Sequence, residues 1–367
     1  MVGDGVSKKR FFLRQLTMYC SMAVVGEFAP FIQFCFLACY VAFVLSKPGI
    51  REWLLVTTAG AMLGLGFVRL QLGPWISGMG LATALWAVLA PLFRRKTVHP
   101  AIALLVLYPT LASAAMLAFN KGGGVVLDRY VLAADGSFGF KAGFAAAAFI
   151  LSHPVVQSVC ELCYFGMPVA LASLLHTASS RRLILLCALL AVSALAAFAA
   201  FPAVGAQVAF ASVFPGNPPA TNASFGSPMF EPGGPNRNFM PSLHTAWGIA
   251  LLLAAWPLGK WWRWGMLLYL APMLFYALAS HYLCDMIVAV PWTLACWNVL
   301  ERRWARAAGY LALAAGWMLL IRFALPVLYA SPAIPWLLAA ATLATPAMIG
   351  MSSASLSVAA VPESDQA

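Results

Sequence analysis

Residues 183–210, LILLCALLAVSALAAFAAFPAVGAQVAF, contain no Asp, Glu, Lys or Arg. Such a run is long enough to cross roughly 30 Å of hydrocarbon as a helix. Lipid offers backbone N–H and C=O groups no partners, so a segment crossing it must satisfy them internally. Stretches near 25–46, 53–70, 75–92, 98–119, 155–176, 241–258, 265–280, 282–300, 310–329 and 333–352 have the same character. The whole chain is 63% hydrophobic and 9% charged, against about 25% charged in a soluble domain. A water-facing fold could not hide that much apolar surface. The expected fold class is all-α, a polytopic transmembrane helical bundle.

The formal net charge of +11 comes in short clusters between the apolar runs: FRRK (93–96), SSRR (179–182), GKWWRW (259–264) and ERRWAR (301–306). Clusters of this kind anchor cytoplasmic loops. No basic stripe is continuous, so the composition points away from nucleic acid as a partner. Most of the eight cysteines lie inside apolar segments, where they behave as small hydrophobes rather than a disulfide framework. Cys160 and Cys163 form a CxxC without a second pair, which favours packing over metal binding.

The N-terminal VSKKRFFLRQ precedes a long apolar run and reads as a retained anchor or span, not a cleaved signal. Two polar connections stand out, 120–141 and the Pro-, Gly- and Asn-rich 212–239. With the last three basic clusters cytoplasmic, alternation places both connections and the turn at His281 on the opposite side. Counting back then puts basic residues 8–14 outside, against the charge rule, so one early span is expected to be interfacial. The expected organisation is N-terminal transmembrane segments (1–97), a catalytic membrane domain (98–300), a C-terminal hairpin (301–352) and a disordered tail (353–367).

Two stretches carry the chemistry. NFMPSLHTAWG (238–248) opens with Pro241 and Ser242 between a loop and an apolar run, a helix-start signature. His244 then falls in the first turn, where the helix dipole attracts phosphate. Arg237 could add a bidentate grip. ASHYLCDMIVAVPW (279–292) spaces His281 and Asp285 at i, i+4, close enough to meet. A carboxylate on one imidazole nitrogen fixes the tautomer and makes the other a better nucleophile or base. His99, His153 and His176 lack such company and read as structural, and Glu161 has no visible partner.

MPSLHT (240–245) followed by SHYLCDMIVAV (280–290) resembles the second and third signature motifs of the type-2 phosphatidic acid phosphatase superfamily. The Pro-Ser-Leu-His and His-Tyr-x-x-Asp forms are similar to its inositol phosphorylceramide synthase-like branch, which has bacterial members. The resemblance covers about 98–300, most specifically 237–292, and implies a six-helix catalytic core and a phosphohistidine mechanism without cofactor or metal. His281 would attack phosphorus, Asp285 would orient it, and His244 would protonate the departing oxygen and activate the acceptor. The first motif of the phosphatases, Lys-x6-Arg-Pro, is absent: Lys121 and Arg129 miss its spacing, and Tyr130 stands where proline would be. Leu274 and Phe275 replace the Ser-Arg ahead of the third motif. Phosphate contacts would then fall to Arg237, Ser242, Tyr282, Lys121, Arg129 or Lys141.

The leading expectation is a membrane-lipid phosphotransferase moving a phosphoryl headgroup from a phospholipid to a lipid alcohol. The alternative is hydrolysis of a lipid phosphate or polyprenyl pyrophosphate by the same triad. A transporter or scaffold is the reading of another class, but the sequence shows neither an inverted repeat nor a charged pathway. Activity should fall on acidification, as His281 gains a proton and loses its nucleophilic lone pair. The Ala-rich, Arg-over-Lys composition points to a GC-rich bacterial genome, with the protein in the inner membrane and its site facing the periplasm.

Overall fold

A computed structural model of the chain describes residues 29–69, 75–89, 124–177, 180–231 and 240–348. In chain order its elements are α1 (Ala29–Leu45), α2 (Ile50–Arg69), α3 (Ile76–Leu89), strand β1 (Gly124–Val126), α4 (Asp128–Gly136), α5 (Ala142–Ser152), α6 (Pro154–Phe165), α7 (Met167–Leu174), α8 (Ser180–Ala200), strand β2 (Met229–Glu231), α9 (Leu243–Ala255), α10 (Lys260–Ser280), α11 (Leu283–Leu300), α12 (Trp304–Phe323) and α13 (Ala333–Met348). Single helical turns occur at Ala206–Ala209 and Leu325–Leu328. The all-α expectation holds. The one exception among the described residues is a short antiparallel ribbon, in which Gly124, Val125 and Val126 of β1 face Glu231, Phe230 and Met229 of β2.

The described elements form two compact units. The first contains α1, α2, α3 and α7. Lipid supplies no hydrophobic drive between helices, so close packing of small residues takes its place. A Cβ on Gly78 of α3 would stand 2.0 Å from the Gly64 nitrogen of α2, and one on Gly80 would stand 2.4 Å from Cα of Phe36 in α1. In the same unit Nε2 of His176 donates to the Ala42 carbonyl at 2.7 Å, the structural use of a lone histidine.

The second unit contains the ribbon, α4 to α6 and α8 to α13, with α11 packed among α4, α8, α9, α12 and α13. Three described helices, α8, α11 and α12, are long and apolar enough to cross a membrane. With them the chain is an integral membrane protein. A bent pair, α5 and α6, qualifies only when joined, and its axes turn by 117°. The crossing expected over 155–176 is therefore not one helix: α6 ends at Phe165 and α7 starts anew at Met167. Pro154 explains the upstream bend. Its ring disfavours helical geometry in the residue before it, and His153 is extended at φ −128°, ψ 86°. The expected span at 98–119, the basic N-terminal stretch and the tail at 353–367 lie outside the described residues.

A charged pair marks one end of this unit. Arg182, at the start of α8, pairs with Glu301, just past the end of α11, at 3.3 Å. Two of the basic clusters thus share one end of the unit. The 18 residues of α11 separate that end from Leu283 by about 27 Å, near the thickness of the hydrocarbon core.

Candidate active site

The turn between α10 and α11 contains only His281 and Tyr282. Both residues are extended, His281 at φ −108°, ψ 177° and Tyr282 at φ −88°, ψ 153°. His281 and Asp285 therefore do not meet on the face of one helix. His281 precedes the cap of α11, and Asp285, in the first turn, reaches back to it. Nδ1 of His281 lies 3.5 Å from Oδ2 of Asp285, an ion-pair distance rather than a short hydrogen bond. The same Oδ2 accepts the Tyr282 N–H at 3.2 Å. Both side chains are buried, His281 at 5% exposure and Asp285 at none.

The other histidine comes from α9. Ser242 is its N-cap: extended, fully buried, and accepting from the Thr245 N–H at 3.3 Å and the Thr245 hydroxyl at 3.1 Å. This is the capping geometry that Pro-Ser before an apolar run predicts. Ser242 also donates its own N–H to the Asp285 carbonyl at 3.3 Å, which ties the start of α9 to the first turn of α11. His244 is half-buried, and its ring centroid lies 6.2 Å from that of His281, with the planes inclined at 58°. Two imidazoles 37 residues apart in sequence are thus neighbours, with the Asp285 carboxylate behind that of His281.

Three residues the sequence did not single out complete the arrangement. Tyr164, near the end of α6, places its hydroxyl 2.8 Å from Nδ1 of His244 and stacks on that ring at 3.9 Å. Asp135, at the far end of α4, accepts the N–H groups of Leu283 and Cys284 at 2.8 and 3.0 Å. It caps α11 from another helix. Asp128, one end of the same helix, accepts the Val204 and Gly205 N–H groups and the Tyr282 hydroxyl, the last at 2.8 Å. Seven residues apart on α4, the two aspartates share a face and hold the His281 turn from beneath. Burial pushes the Asp135 carboxyl up to about 7, against the hydrogen bonds from Cys284 and Leu283. Burial likewise pushes Asp128 up to about 6, against the bonds from Val204, Tyr282 and Gly205.

The residues expected to hold phosphate are placed as follows. Ser242 lies in the site, with its hydroxyl occupied by the cap. Tyr282 is buried at 1% exposure, and its hydroxyl donates to Asp128. Arg129 is on the exposed side of α4, donating to the Ser227 hydroxyl at 3.3 Å and lying 5.5 Å from the Phe225 ring centroid. Lys141 is the N-cap of α5. Lys121 and Arg237 lie outside the described residues.

The site borders on aromatic surface. Trp247 meets His244 edge-on at 5.8 Å, and Tyr276 packs against Tyr164 at 4.8 Å. Cys160 and Cys163 of α6 are free thiols. The fit of α5 is tight as well. A Cβ on Gly143 would come within 2.7 Å of the His281 carbonyl oxygen.

Residues 129–299 match the family model of the PAP2 superfamily, so both histidines, Asp285, Asp135 and Tyr164 fall within the matched segment. Members of that superfamily are phosphatases or phosphotransferases. No curated protein and no solved structure matches the chain.

Proposed function

We propose that this membrane protein is a lipid phosphotransferase of the inositol phosphorylceramide synthase-like kind, working through a phosphohistidine. The observation that carries the reading is the meeting of two imidazoles with unlike described partners: His281 backed by Asp285 at 3.5 Å, and His244, its ring centroid 6.2 Å away, beside the Tyr164 hydroxyl. A carboxylate on Nδ1 raises the basicity of Nε2 and stabilises the cation that forms when Nε2 bonds to phosphorus. His281 is then the nucleophile and His244 the acid–base group.

In the first half-reaction the Nε2 lone pair of His281 forms an N–P bond. The P–O bond to the leaving alcohol breaks with its electron pair on oxygen, and that oxygen takes a proton from Nε2 of His244. In the second, His244 removes a proton from the acceptor hydroxyl, whose oxygen attacks phosphorus. The N–P bond breaks, and its electron pair returns to His281. A lipid alcohol as acceptor gives transfer, and water gives hydrolysis. The substrate is a membrane phospholipid or lipid phosphate, presented on the face opposite the Arg182–Glu301 pair, which for a bacterial inner membrane is the periplasmic face. The Pro-Ser-Leu-His and His-Tyr-x-x-Asp motifs favour transfer over hydrolysis. The segment about 98–300 is assigned the catalytic role.

The test uses purified protein and a headgroup-labelled phospholipid such as phosphatidylinositol, with and without a ceramide-like lipid alcohol. A new labelled lipid formed only with the alcohol supports transfer. Release of free phosphate or phosphorylated headgroup to water makes the protein a phosphatase. Undiminished lipid turnover in a folded His281→Ala variant would remove the enzyme reading.

A further inference from the structure

The contact between Tyr164 and His244 has no part in the scheme above. We propose that Tyr164 is the positioning residue of the acid–base imidazole: its phenol oxygen accepts a hydrogen bond from Nδ1–H of His244 and so reserves Nε2 for the proton exchanged with substrate. The proposal rests on the reading of His244 as the acid–base group.

The proton balance of the cycle makes the case. As acid, His244 is an imidazolium carrying a proton on each nitrogen. Once Nε2 has protonated the leaving oxygen, it is the neutral Nδ1–H tautomer, whose bare Nε2 can take the acceptor's proton. Nδ1 keeps its proton throughout, so one acceptor at Nδ1 serves both states. The other neutral tautomer, with Nε2–H, could not act as the base. The hydroxyl stands 2.8 Å from Nδ1, and the stacked ring at 3.9 Å fixes the imidazole plane.

The two histidines therefore have partners suited to different tasks. The Asp285 carboxylate favours positive charge on His281, as a nucleophile that becomes N-phosphorylated requires. His244 must gain and lose a proton in every turnover, and a neutral phenol orients it without locking it in the charged form. The tyrosine is itself held in place. Its ring is nearly buried and packs on Tyr276, and the neighbouring Cys163 carbonyl accepts the Tyr269 hydroxyl.

Tyr164→Phe removes the hydroxyl and keeps the ring. The full-length variant would be assayed on phosphatidylinositol or phosphatidic acid, whichever the wild type turns over, and on the p-nitrophenyl ester of the same phosphoryl group. The lipid leaves as an alkoxide that needs a proton, whereas p-nitrophenolate leaves without one. The expected result is a kcat on lipid lowered by about 10–100-fold with KM little changed, part of the 10²–10⁴-fold that acid–base catalysis contributes. On the p-nitrophenyl ester the formation of phosphorylated His281, read in a single turnover, should slow by less than about threefold. Equal losses on the two esters, including lost phosphorylation of His281, would make Tyr164 merely structural and overturn the proposal. So would an unchanged kcat on lipid. A wild type inactive on every ester would instead contradict the function reading itself, and this proposal with it.

Discussion

A carboxylate is costly to bury unless hydrogen bonds replace its water, and this site buries three. Asp285, Asp135 and Asp128 all accept backbone N–H groups, so each is held by the chain turns it positions. Asp135 at about 7 and Asp128 at about 6 lie above the ordinary value of 3.8. Both carboxyls therefore bind more protons in the folded than in the unfolded state between about pH 4 and 7, and stability falls as pH rises through that window. The unfolding midpoint in detergent should drop between about pH 4 and 7, and Asp135→Asn should flatten the dependence. A midpoint that rises with pH would contradict the assignment. At Asp285 the amide isostere tests charge rather than shape. Asp285→Asn should lower kcat by about 10²–10⁴-fold, the scale of acid–base and orienting effects, with KM for the lipid nearly unchanged. Steady-state kinetics at saturating lipid would check it.

Helices bring the site together by meeting at their ends. α9 and α11 both start beside the two histidines, joined by the Ser242 N–H to Asp285 carbonyl bond, while α4 caps α11 and α5 presses on the turn. Gly143→Ala would place a methyl group 2.7 Å from the His281 carbonyl oxygen, so the turn must shift. A 1 Å misplacement can cost about 10²-fold in rate, and a loss of activity of that order with little change in unfolding midpoint is the predicted signature. What the sequence revealed of this assembly was its local part. Pro241-Ser242 announced the helix cap, and the four-residue separation of His281 and Asp285 announced their contact but not its geometry, since His281 precedes the helix that carries Asp285. Tyr164 meets His244 across 80 residues, and Asp135 meets Leu283 across 148. No periodicity within one segment reports contacts of that range. Asp128 and Asp135 did leave a trace, two acids seven apart in DRYVLAAD, obscured because 120–141 reads as a polar connection. The bend before α6 was also in the sequence, as Pro154, but a hydropathy run averages over it.

At the scale of the whole molecule, the account requires the histidines and the basic clusters to lie on opposite sides of the bilayer. A cysteine at exposed Ser224, in the same polar connection that leads to α9, should react with an impermeant maleimide in intact cells. One at exposed Arg302, beside the Arg182–Glu301 pair, should react only after permeabilisation; the reverse pattern would turn the protein over. Chemistry and topology converge on one event, transfer of phosphorus to Nε2 of His281. Rapid acid-free quenching with phosphorus-labelled lipid donor, followed by peptide mapping, measures it directly. The account predicts an acid-labile, base-stable phosphoryl group on His281 that accumulates when the acceptor is withheld and is absent from His281→Ala. Label on another residue, or lipid turnover that continues in His281→Ala, would contradict it.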